Sequence, residues 1–145
     1  MKRLSLFILS IFFFISCKKY ENGPSFSLIS KKERAANTWY IQQVKENGTD
    51  KTNDYKNVFK DYKLILDKNN MKYTLTWKYL GLLDYSETGS WDFSEDKLYL
   101  VLKKDANSSS AASVSNWKIL KLKEKELWIE NTSSSNILTE IHLIP

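Results

Sequence analysis

From Thr38 onward the chain alternates, and that alternation leaves few folds open to it. In residues 71–79, Met71, Tyr73, Leu75, Trp77 and Tyr79 share one parity, while Lys72, Thr74, Thr76 and Lys78 share the other. Successive side chains of a strand point to opposite faces, so one face here is buried and the other is wet. Residues 62–67 read as the preceding strand, joined through Lys68, Asn69 and Asn70, where asparagine tolerates the left-handed turn conformation. Residues 87–93 and 98–103 make a second hairpin about the turn residues Ser94, Glu95, Asp96 and Lys97. Residues 39–45 open the series, and residues 114–123, 127–131 and 137–143 close it. The pattern predicts an all-β fold, an eight-stranded antiparallel meander. Closing it into a barrel removes the exposed edges that an open sheet would leave, with a two-sheet sandwich as the alternative.

Two helical signals interrupt the strands. Ser30 and Glu33 stand at capping-box spacing and predict a short helix through Ala36, ahead of the first strand. In the long connection 46–61, Tyr55, Val58, Phe59 and Tyr62 fall at helical spacing, which predicts a turn or two around residues 55–60 with an apolar underside. The other long connection, 104–112, is rich in serine and alanine and offers nothing to anchor it.

The start of the chain decides its address. Lys2 and Arg3 precede residues 4–15, apolar except for Ser5 and Ser10, and small Ser16 stands before Cys17. These 12 residues would reach roughly 18 Å as a helix, against a hydrocarbon core of about 30 Å, so they read as an export signal and not as a membrane span. They resemble the signal and lipobox of bacterial lipoproteins. That resemblance implies cleavage before Cys17 and acylation of its sulfur and new amino group, with membrane lipid as the partner. It divides the chain into a signal peptide (1–16), a lipid-anchored tether (17–27) with Gly23 and Pro24 at its centre, and a folded domain (28–145). Lys18 stands where an aspartate commonly retains such lipoproteins at the inner membrane. The resemblance therefore implies the outer membrane of a bacterial cell envelope.

Composition excludes several functions. The 22 Lys and Arg of the whole chain include Lys2 and Arg3, so beyond residue 16 there are 20 against 17 Asp and Glu, a formal charge of +3. That excess is too small to argue for nucleic acid. Cys17 is the only cysteine, so none remains for disulfides or metal clusters. His142, the only histidine, shares a strand face with Glu140. Two donors fall short of the three or four that a zinc site uses, and no serine stands near His142 in sequence for a nucleophile to be activated. The carboxylate pairs Asp84 with Glu87 and Glu95 with Asp96 lie in or near turns, where solvated acids are expected. Four glycines form no phosphate loop. The residues predict neither catalysis nor a cofactor. Lys118, Lys121, Lys123 and Lys125 form a basic run that is either a solvated strand face or a strip for an anionic partner.

The order of a helix, then Ala36-Asn37-Thr38-Trp39-Tyr40-Ile41, an Asn47-Gly48 turn, hairpin strands, Gly89-Ser90-Trp91-Asp92-Phe93 and a closing Leu127-Trp128-Ile129 resembles the lipocalin-like domains of small bacterial lipoproteins. The resemblance implies a monomeric cup holding a small apolar ligand. Trp39, Tyr73, Trp77, Tyr79, Trp91 and Phe93 are its candidate lining, and the same stripe also reads as plain core. The alternative is an interaction module with a filled barrel that binds an envelope protein or glycan through its loops or its basic strip.

Overall fold

The computed structural model describes residues 28–107 and 110–145, so the signal, Cys17 and the tether lie outside the described residues. Helix α1 (Lys31–Ala35) is followed by β1 (Thr38–Glu46), β2 (Thr49–Asp50), α2 (Thr52–Val58), β3 (Phe59–Leu66), β4 (Lys72–Tyr79), β5 (Leu83–Phe93), β6 (Tyr99–Lys104), β7 (Ser113–Lys123), β8 (Glu126–Thr132) and β9 (Leu138–Ile144). Each strand from β3 to β9 pairs antiparallel with the next, and β1 pairs with both β3 and β9, which closes an eight-stranded barrel. The two-residue β2 is an arm folded back on the end of β1 through the Asn47-Gly48 turn. Both turn residues have positive φ, 48° and 80°, as tight two-residue hairpin loops require.

Parity sorts the side chains as alternation demands. Trp39, Val44, Leu64, Leu66, Tyr73, Trp91, Leu100, Leu102, Leu122, Leu127, Ile129 and Leu143 belong to one buried cluster, and Trp39 is fully buried. Helix α1 plugs the end of the barrel where β1 begins, here the lower end. Its Ser30 and Glu33 form the capping box in both directions, and Trp39 Nε1 donates to Ala35 O at 2.8 Å. Indole burial at the floor of the barrel is thus matched by a hydrogen bond to the plug.

Several local expectations shift. The second helix lies at Thr52–Val58 and β3 already begins at Phe59, because Thr52 meets the edge of β1: Val44 N donates to Thr52 Oγ1 at 3.0 Å. In the β3–β4 turn it is Met71, with φ 57°, and neither asparagine, that adopts the left-handed conformation. Asn70 accepts from Lys72 N through its side chain instead. Strand β5 starts at Leu83, four residues earlier than its alternation suggested, and pairs with β4 as far as Tyr79–Leu83. Three bulges interrupt parity, between Ile41 and Gln43, between Lys60 and Lys63, and between Ile119 and Lys121.

Candidate functional site

The lower half of the barrel is filled and the upper half is different in kind. Working upward along the inward parity, β4 carries Tyr73, Leu75 and Trp77, β5 carries Trp91, Gly89, Glu87 and Tyr85, and β6 carries Leu102 and then Lys104. Above the Trp91 level the interior therefore becomes polar. Tyr73 Oη donates to Glu87 Oε1 at 2.6 Å and Tyr85 Oη to Glu87 Oε2 at 2.9 Å. Lys104 Nζ lies 3.4 Å from Glu87 Oε2, and both of these side chains are largely shielded, at 15% and 17% exposure. The carboxylate is thus satisfied by two phenols and an ammonium. Burial pushes the Tyr73 phenol well up, and its hydrogen bond to Glu87 adds to the effect. Burial also raises Tyr62, again helped by the Glu87 charge. The Tyr85 hydroxyl, more than the nearby carboxylate, favours the charged form of Lys104.

Beside this cluster runs a chain of aromatic rings that is only partly buried. Tyr55 of α2 tilts against Phe59 at 5.4 Å, Phe59 meets Trp77 edge-on at 5.7 Å, and Trp77 stacks on Tyr85 at 3.7 Å. Tyr55 Oη donates to Glu46 Oε1 at 2.7 Å, which ties the helix to the end of β1.

The wall next to these rings is incomplete. β1 and β3 pair at Thr38–Ile65 and Trp39–Leu64, after which β1 turns to β9 and β2 while β3 keeps to β4. Two of the bulges flank the opening, and Asp61, at the bulge of β3, has φ 55°. Helix α2 packs against both strands above it. A groove of about 350 Å3 lies there, lined by Tyr40, Ile41, Lys56, Phe59, Lys60, Asp61 and Tyr62. A second, of about 520 Å3, shares Tyr40 and Asp61 and continues over β3, β4 and β5 past Lys63, Trp77, Lys78 and Tyr85.

Of the residues singled out in the sequence, Trp39, Tyr73 and Trp91 lie in the packed cluster. Trp91 Nε1 donates to Asp67 O at 2.9 Å, and Phe93 meets the Trp91 ring edge-on at 5.9 Å. Trp77 is half-buried at the aromatic chain, and Tyr79 is 48% exposed at the upper rim. Cys17 lies outside the described residues. Tyr55, Phe59 and Tyr62, whose helical spacing predicted an apolar underside, complete the upper interior together with Tyr85, Glu87 and Lys104, which did not stand out in the sequence as lining. Extending the parity of Trp91 back through Gly89 to Glu87 and Tyr85 is the signal that finds two of them.

On the outer face, His142 hydrogen-bonds Glu140 and lies parallel to Trp128, centroids 4.0 Å apart. Lys121 Nζ sits 3.9 Å from the Trp128 ring centre and 2.8 Å from Glu126. Lys118 pairs with Glu130 at 2.9 Å and Lys123 with Glu126 at 3.5 Å, so three of the four lysines of the basic run meet acids of β8. No family model matches the chain, and no curated protein matches it either.

Proposed function

We propose that this chain is a lipid-anchored, non-catalytic protein of the bacterial envelope whose lipocalin-like barrel takes a small, mainly apolar ligand at its upper end. The observation that carries the reading is the contrast along the barrel axis. Trp39 and Trp91 fill the α1 end to 0% and 1% exposure, while Tyr55, Phe59, Trp77 and Tyr85 remain half-buried beside grooves of about 350 and 520 Å3. Grooves of that size fall in the range of small-molecule sites, about 300–1,000 Å3, which join apolar walls to a few placed polar groups. Tyr85, which lines the larger groove, links it to the polar cluster of Glu87, Lys104 and the Tyr73 phenol.

Native mass spectrometry of the protein purified from its own host, followed by solvent extraction, tests the carrier. A stoichiometric apolar molecule is expected, and a clean apo mass overturns the reading. Fatty-acid labelling of the protein and of its Cys17→Ser variant tests the anchor, which falls if label survives the substitution. A second reading, an interaction module, draws on the tip between β4 and β5, where Leu82 and Leu83 are 83% and 67% exposed. An apo mass together with an envelope partner lost on Leu82→Asp would favour it.

A further inference from the structure

We propose that the opening between β1 and β3 is a side entrance that selects a single aliphatic chain with an anionic head, a long-chain carboxylate. The inference deepens the ligand-binding reading and rests on it. It begins with a break in an otherwise continuous ladder. Over Tyr40 to Gln43 on one side and Phe59 to Lys63 on the other, no strand pairing joins the facing edges of β1 and β3. An unpaired edge beside a buried interior is normally covered, and here α2 covers its upper part, with Thr52 bonded at Val44. Below the helix the slot has an apolar bed of Ile41, Phe59 and Tyr62, with the Tyr40 ring at its lip.

The charge around the slot has one sign in excess. The two contiguous grooves are lined by Lys56, Lys60, Lys63 and Lys78 against Asp61 and Asp84. Lys78 lies 4.0 Å from Asp61, and Lys56, Lys60 and Lys63 have no ion-pair partner among the described residues. Elsewhere on the barrel, Lys45, Lys104, Lys118 and Lys121 meet acids, while Lys103 and Lys125 also lack an ion-pair partner among the described residues but line neither groove. Three unmatched ammonium groups at the rim of an apolar slot suit a ligand whose tail lies inside and whose anionic head stays at the surface. A volume of about 350 Å3 in the first groove is near the lower bound of small-molecule sites, enough for one chain and not for a branched lipid. The head belongs among the lysines, and the tail runs past Phe59 towards Trp77.

The test is photo-crosslinking on the full chain, held in lipid nanodiscs, with a long-chain fatty acid carrying a terminal diazirine and with the matching fatty alcohol. Adducts are mapped by peptide mass spectrometry. The expected result is labelling by the acid within residues 40–43 and 59–63 and at Trp77. The yield should fall about tenfold, equivalent to about 1.4 kcal/mol, in the double variant Lys56→Glu with Lys60→Glu and with the alcohol probe. Both lysines are exposed, so the variant is expected to melt with the parent, and its melting curve is the control for folding. Adducts confined to Tyr73, Glu87 and Lys104, indifferent to the lysine changes, would overturn the side entrance while leaving a carrier loaded from above. Equal labelling of the slot by acid and alcohol would overturn the selection for an anionic head. Absence of any adduct would take both the entrance and the carrier with it.

Discussion

The Tyr73 hydroxyl donates to the Glu87 carboxylate at 2.6 Å inside the barrel, between a packed aromatic floor and a half-open mouth. The pairing depends on Tyr73 keeping its proton. Burial first, and Glu87 second, raise its pKa above the ordinary phenol value of 10.0, and Tyr62 is raised in the same direction. A group raised in the folded state contributes stability that is fully present below its unfolded pKa and is lost as pH rises towards the folded value. Urea midpoints should therefore hold steady at neutral pH and fall above about pH 10. Tyr73→Phe should lessen that alkaline fall while costing about 1.5–3 kcal/mol at neutral pH through the lost charged hydrogen bond. An unchanged alkaline limb in the variant would contradict the assignment.

Gly89 has a steric reason to be glycine. A Cβ built there would lie 2.1 Å from Lys103 O and 2.6 Å from Tyr73 Cε1, and the first of these is backbone. Gly89→Ala is expected to cost about 1–3 kcal/mol or more, since the β5–β6 pair or the Tyr73 ring must move. Gly48 is a contrasting case, with open space around it but φ +80°, so Gly48→Ala should cost only about 1–2 kcal/mol of backbone strain. Chemical denaturation of the two variants gives the comparison directly.

At the acid end, Glu140 carries the corresponding effect with the opposite sign. Its partial burial opposes the charge, but hydrogen bonds from His142 and Lys45 outweigh that and leave its pKa below the usual 4.5. The stability it contributes is present above its unfolded pKa and lost as pH falls through the lower folded one. Glu140→Gln should flatten the dependence of the urea midpoint below about pH 4.5, in a setting where Lys45, His142, Gln43 and Trp128 are the facing groups.

Lys121 should matter more than its place in a basic run suggests. It is 12% exposed, bonds Glu126, and faces the Trp128 ring, whose other face meets His142. A shielded cation over indole contributes up to about 2 kcal/mol. Lys121→Gln should show that order of loss, with most of it absent when Trp128 is Leu, as a double-mutant cycle would report. Lys123→Gln, with its longer, more exposed bridge, should stay within about 0.5 kcal/mol.

How much of this was legible in the sequence follows from what a period of two can encode. The parity of Tyr73, Leu75 and Trp77 places their faces, and the eight barrel strands follow from parity and turns. It does not encode height along the barrel axis, so Tyr79 shares the inward parity yet emerges at the rim. Nor does it reveal bulges. The extra residue at Leu120 brings Lys118 and Lys121 onto one face although they are three apart, opposite Glu130 and Trp128. The charged part of the upper site was illegible for a further reason. Glu87 and Lys104 look like solvated charges until register sets Leu75 opposite Glu87 and Gly89 opposite Lys104, inside a wall that closes only through strands far away in the chain.

That closure also sets an order of events. The seam between β1 and β9 joins residues such as Lys45 and Glu140, 95 positions apart, whereas every other ladder of the barrel links strands adjacent along the chain or separated by a short helix. Local hairpins form in microseconds, while contacts across most of the chain must first meet the entropy of a long loop. During synthesis, the first strand must wait for the last, with its edge open for the whole of that interval. The exposure of this protein to misassembly is concentrated in the time before its final strand arrives.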